Sequence, residues 1–169
     1  LANYGAHDYG SSTVGSTVSV ILRNGHGTFH PPRDFQAGSG PHGIAVADLN
    51  GDGIQDLAVA DFGPAGQRAT TVSVLIGNGD GTFQTPHAFE AGHGPTFVVA
   101  GDFDRDGVLD LAATDYDDVT VSVLRGNGDG SFQPPLAFEV GHAPKAAALG
   151  DFNGDHMIDL AVADHFSDA

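Results

Sequence analysis

TVSVLIGNGDGTF, residues 71–83, returns as TVSVLRGNGDGSF at 120–132 and is preceded by TVSVILRNGHGTF at 17–29. Each copy sets a β-branched, alternating segment ahead of a turn rich in Asn-Gly and Asp-Gly. That is the pattern of a strand entering a hairpin. An acidic stretch keeps step with it: DLNGDGIQD (48–56), DFDRDGVLD (102–110) and DFNGDHMID (151–159). Both series advance by 54 and then 49 residues, as do FQAGSGP (35–41), FEAGHGP (89–95) and FEVGHAP (138–144). A unit of roughly 50 residues is therefore used three times, with no linker between copies.

Each unit reads as four short strands. GIAVADL (43–49) is a nearly continuous apolar run, as expected of a strand buried on both faces. DLAVADF (56–62) follows the acidic loop, TVSVLI (71–76) alternates, and TFQTPHAFEAG (82–92) leaves the turn. Phe83 and Phe89 are six residues apart, a spacing that places both on one face of a strand; Phe29 with Phe35 and Phe132 with Phe138 repeat it. These aromatics are expected to pack between neighbouring sheets. Repeated four-stranded antiparallel units predict an all-β chain built of β-propeller blades. A β-sandwich would not need such regular copies.

The expected division is a single array over 1–169: a partial blade at 1–42 holding last strands, blades at 43–95 and 96–144, and a partial blade at 145–169 holding first strands. The total is three blade equivalents, fewer than the four to eight of a closed ring. LANYG (1–5) resembles VADFG (59–63), so both ends fall in or just after a second strand. Two arrangements fit. The remaining blades come from the same longer protein, which is the favoured expectation, or from a second copy of the chain that completes the half-blades.

Charge narrows the partners. Six Lys and Arg against 22 Asp and Glu give a formal charge of −16, so nucleic acid is not expected as a partner. The three acidic stretches hold ten of those 22 carboxylates, as expected of a chain that gathers divalent cations. No run of 18 apolar residues exists, so no membrane insertion by a helix is expected. Cysteine is absent and carries no information on compartment. The start, LANYGAHDYGSS, lacks the basic and apolar regions of a signal peptide.

The acidic stretches offer oxygen at alternate positions, which suits Ca²⁺, a hard ion that takes six to eight oxygens. The expected ligands are Asp48, Asn50, Asp52, the carbonyl of Ile54 and Asp56 in the first loop. In the second they are Asp102, Asp104, Asp106, the Val108 carbonyl and Asp110. In the third they are Asp151, Asn153, Asp155, the Met157 carbonyl and Asp159, giving up to three ions per chain. Gly53 and Gly107 sit where the loop turns sharply; His156 replaces glycine in the third copy, so that site is expected to be weaker. An EF-hand is rejected, because position twelve is Val59, Ala113 or Val162 and the flanks are strand-like. Zinc lacks cysteines and a histidine pair at ligand spacing, and magnesium prefers fewer protein ligands.

With loop, TVSVL strand and GNGDGTF turn recurring together, the chain resembles the FG-GAP or VCBS-type repeat, across essentially its whole length. That family forms the propeller of integrin α-subunits and parts of many large secreted bacterial proteins. The resemblance implies a calcium ion in the loop between the first two strands of each blade, at the positions just named.

No catalytic set is visible. GSGPHG (38–43) matches a dinucleotide fingerprint by letters, but contains Pro41 and leads into a strand. No G-x-S-x-G elbow occurs. The chain is expected not to be an enzyme. His42, His93 and His142 precede the first strand of a blade and are candidates for lining a rim that binds a glycan or peptide. The expected function is an extracellular or cell-surface module that recognises or scaffolds protein or polysaccharide. A sugar-binding lectin and a non-catalytic appendage of a secreted enzyme remain open as alternatives.

Overall fold

A computed structural model describes residues 15–64 and 66–166. The resemblance of LANYG (1–5) to a second strand lies outside the described residues. Three kinds of segment dictate the architecture. The β-branched TVSV runs form β1 (Thr17–Val20), β5 (Thr71–Leu75) and β9 (Thr120–Leu124). The Phe-bearing segments form β2 (Arg33–Gln36), β6 (His87–Glu90) and β10 (Leu136–Glu139). The two strands around each acidic loop are β3 (Pro41–Ala47) and β4 (Asp56–Asp61), β7 (Pro95–Gly101) and β8 (Asp110–Asp115), and β11 (His142–Gly150) and β12 (Asp159–Phe166).

They pair as two four-stranded antiparallel meanders, β3-β4-β5-β6 and β7-β8-β9-β10, flanked by the two-stranded pairs β1-β2 and β11-β12. The chain is thus all-β and built of propeller blades. The first strands lie side by side, β3 against β7 and β7 against β11. Gly43 allows a close approach of β3 to β7, since a Cβ there would stand 2.7 Å from the Phe97 Cα.

β4 and β8 are buried along their whole length. Their period of two sorts the core. Leu57 and Val59 face β1-β2 together with Val18 and Leu75, while Ala58 and Ala60 face the next blade with Val72, Val98, Leu111 and Leu124. Alanines on one strand leave room for the leucines and valines of the next, so the sheets interlock. Each fully buried Val or Leu contributes about 1.5–3 kcal/mol.

The doubly buried strand is the second of each four-stranded blade, not the first. In β3, Val46 is 60% exposed. It pairs with Leu57 and so points toward the β1-β2 side, where among the described residues no first strand stands to cover it.

The aromatic expectation also needs correction. Phe83 and Phe89 lie on opposite faces. Phe83 packs edge-on against Phe35 of the preceding unit at 5.1 Å, and Phe89 against Phe132 of the following one at 5.3 Å. The stretch 82–92 is not one strand: Phe83 makes a lone bridge to Gly77, residues 84–86 leave the ladder, and pairing resumes at His87. Pro86, which has no N–H, stands in that break, so an even count no longer preserves the face. The aromatics still join neighbouring sheets.

Candidate metal centres

Each acidic loop is wound around its first aspartate. Asp48 accepts the N–H groups of Asp52 (3.1 Å) and Gly53 (2.8 Å). Asp102 does the same for Asp106 (3.2 Å) and Gly107 (3.0 Å), and Asp151 for Asp155 (3.2 Å) and His156 (2.9 Å). The fifth residue then caps the seventh: Asp52 accepts from Ile54, Asp106 from Val108 and Asp155 from Met157, at 2.7–2.8 Å. Such local Asx bonding is what short acidic side chains do in turns.

The winding requires left-handed backbone at positions four and six. Gly51 and Gly53 supply it in the first loop. The second uses Arg105 (φ 64°) and Gly107, the third Gly154 and His156 (φ 64°). The sixth position was legible as a sharp turn; the demand at the fourth was not.

The outcome is clearest at 102–110, where one oxygen from each of Asp102, Asp104 and Asp106 lies within 4.8 Å of the others. Arg125 Nε stands 3.6 Å from Asp104 Oδ2 and partly offsets this charge. In the other loops Asn50 and Asn153 take the third place, and their amides donate to Asp52 and Asp155 at 2.9 and 3.0 Å. Backbone donors hold Asp151 below the ordinary carboxylate range, the His156 amide foremost.

The ninth aspartate is placed differently and is not part of that triplet. Asp56 is wholly buried and accepts the N–H groups of Leu49 (2.9 Å) and Gly77 (2.7 Å). Asp110 repeats this with Phe103 (3.0 Å) and Gly126 (2.9 Å), and burial pushes its carboxyl up. These residues tie the loop to the end of the third strand. The seventh side chains add to that seat. A Cβ on Gly77 would lie 3.0 Å from the Ile54 side chain, and one on Gly126 2.8 Å from Val108. Met157, in the third loop, is exposed.

The three histidines are not brought together. His42 Nδ1 bonds the Thr96 carbonyl at 2.8 Å, and its ring lies 5.4 Å from that of Phe62. His93 Nδ1 pairs with Asp118 Oδ2 at 2.9 Å, and that carboxylate raises its pKa. His142 lines a separate hollow with Tyr116, Asp117 and Phe166.

A second set of buried carboxylates escaped the sequence reading. Asp61 closes β4 and accepts from the hydroxyls of Thr71 and Ser73, both at 2.8 Å. Asp115 closes β8 and accepts from Thr120 (3.1 Å) and Ser122 (2.7 Å), with the Gly92 amide at 3.1 Å. Burial pushes each carboxyl up to about 6, against the pull of those hydroxyls. Gly38 and Gly92 belong to the preceding unit and abut these carboxyls so closely that a Cβ would collide, at 2.0 Å for Asp61 and 2.5 Å for Asp115. The available signal was the polar T-x-S face inside an otherwise apolar strand, in phase with an aspartate one strand earlier.

Sheets of four antiparallel strands, set side by side by their first strands and carrying oxygen-rich loops, define a β-propeller repeat module. The chain belongs to the FG-GAP-like repeat family, whose profile matches residues 5–59, 50–113 and 107–162. No curated protein matches it. Among solved structures it is similar to a chain of the Tc holotoxin pore of Photorhabdus luminescens, at 17% identity and a TM-score of 0.50. That likeness covers 92% of this chain and 8% of the other, and at such identity it bears on the fold alone.

Proposed function

We propose that the chain is a calcium-stabilised, non-catalytic propeller module that recognises or scaffolds protein or polysaccharide outside the cell or at its surface. The observation that carries the calcium part is the Asp102–Asp104–Asp106 triplet, set on a backbone frame that all three loops share. The donor set is hard oxygen, and three carboxylates held this close repel one another unless a cation joins them. Asp102, Asp104 and Asp106 would hold the ion in the second loop, with Asp48, Asn50 and Asp52, and Asp151, Asn153 and Asp155, in the others. The ion would supply charge neutralisation and cross-linking, not chemistry. At a free calcium concentration a thousand times the dissociation constant, each site would stabilise the fold by about 4 kcal/mol. Loops of this kind suit a calcium-rich compartment.

The family profile matches three repeats, fewer than the four to eight blades of a closed ring. The remaining blades come from the same longer protein in this reading, and from a second copy in the alternative. Native mass spectrometry with calcium and after chelation tests both points. Up to three ions per chain and a calcium-dependent rise in melting temperature are expected. No bound ion and no shift in melting temperature would remove the calcium assignment, and a discrete dimer would favour the second copy.

A further inference from the structure

The antiparallel order puts the acidic loops and the hairpin turns at one end of the sheets. At the opposite end lie the starts of the first and third strands. Four of the six Lys and Arg, namely Arg23, Arg33, Arg105 and Arg125, belong to the acidic-loop end. Arg68 and Lys145 are at the other, and both line one hollow of about 260 Å³ with His42, Phe62, Thr96 and Tyr116.

The repeat explains this convergence. His42, Thr96 and Lys145 each follow a proline at or near the start of β3, β7 or β11, so they are one position used three times. Phe62 and Tyr116 each follow the buried aspartate that closes β4 or β8. Because first strands lie side by side, the hollow opens where three units meet.

Its chemistry is unlike the rest of the surface. The Arg68 guanidinium stacks 3.8 Å from the Phe62 ring centre, and its Nε is held by Asp117 at 3.0 Å. Among the described residues its terminal nitrogens make no hydrogen bond to a carboxylate. Lys145 Nζ stands 5.8 Å from the centre of the Tyr116 ring and has no carboxylate partner among the described residues. The two rings meet edge to face at 6.0 Å, so the cations rest on one braced aromatic wall. Thr96 offers nothing to a ligand, since its hydroxyl is buried against Thr114 and the Pro144 carbonyl.

We propose that this hollow binds a carboxylate side chain of a partner polypeptide, between Arg68 and Lys145. Two cations line the hollow, which suits an anionic group that accepts charge-assisted hydrogen bonds. The volume fits one acidic side chain and falls below the usual range for larger ligands. Asp117 offsets part of the Arg68 charge at 3.0 Å, so Lys145 supplies most of the local positive charge. Screening over about 8 Å at physiological salt limits the reach of the more distant carboxylates.

The assignment deepens the recognition reading but does not need the calcium reading. The test is an amide NMR titration of the full chain in calcium, with N-acetyl-glutamate, N-acetyl-glutamine and glucuronate as probes. N-acetyl-glutamate is expected to give saturable shifts at Thr96 and Lys145, with binding about tenfold or more weaker for the glutamine analogue. Lys145→Ala and Arg68→Met, each checked for an unchanged calcium-dependent melting profile, should each weaken it by a similar factor. Lys145 is exposed, so its replacement leaves the fold intact. Equal response to the two acetyl amino acids, tighter binding of glucuronate, or unchanged binding in Lys145→Ala would overturn the assignment. A protein that melts identically with and without calcium yet still binds N-acetyl-glutamate would sink only the calcium reading.

Discussion

The second and third acidic loops share a frame but not its surroundings. In both, the first aspartate gathers the amides of the fifth and sixth residues at nearly the same distances, and Asp151 also accepts the Gly154 amide at 2.7 Å. Their ninth aspartates differ. Asp110 is buried and reaches Gly126 at the end of β9, whereas Asp159 bonds only the Phe152 amide at 2.8 Å, since among the described residues no third strand follows β12. The difference separates two jobs. The frame that would hold an ion is local and forms without neighbours. The anchor that fixes the loop to its blade is tertiary.

The largest expected effect follows from that anchor. Asp110→Ala orphans two amides, one of them deep in the blade, and should cost about 2–6 kcal/mol in a urea melt, with or without calcium. Asp159→Ala should cost well under half as much. Equal losses would break the distinction between local frame and tertiary anchor. Next comes Asp106→Ala, which should remove about 4 kcal/mol in saturating calcium and little in chelator. A loss of equal size in both conditions would mean that Asp106 only caps Val108.

A smaller effect concerns pH. Asp61 and Asp115 titrate near 6 in the fold, above the unfolded value of 3.8. The stability they add is fully present below pH 3.8 and is lost as pH rises through about 6. In chelator, therefore, stability should rise between pH 7 and about 4.5. Asp61→Asn with Asp115→Asn should flatten that rise, and an unchanged slope in the double variant would place its source elsewhere. The smallest effect sharpens the comparison of loops. His156→Gly relieves a left-handed non-glycine residue and should stabilise by up to about 1 kcal/mol. Arg105→Gly should do the same in the second loop. Gly51→Ala in the first should cost about as much.

The strands, the repeat and the loop frame were legible because each depends on neighbours in sequence. β-Branched alternation set β5 and β9, and Asn-Gly and Asp-Gly set the turns. What the sequence hid depends on contacts between units. Val46 reads as core and is exposed, because burial there needs a first strand on that side. Phe83 and Phe89 read as one face, and the break at Pro86 divides them. No local motif marks Asp61 and Asp115 as buried; hydroxyls from the next strand and a glycine from the preceding unit enclose them. The pocket lined by Arg68 and Lys145 draws on residues 77 positions apart and shows no local motif.

The two aromatic contacts also say how such a chain can lengthen. In one unit Phe83 looks backward and Phe89 looks forward, and each meets the opposite member of the adjoining unit. Every copy therefore carries both halves of the same joint. A unit duplicated in frame finds a correct neighbour on either side, with no second mutation needed to receive it. Growth by tandem duplication is then structurally neutral at the joints, and the ring size is left to curvature, not to the chemistry of the seams.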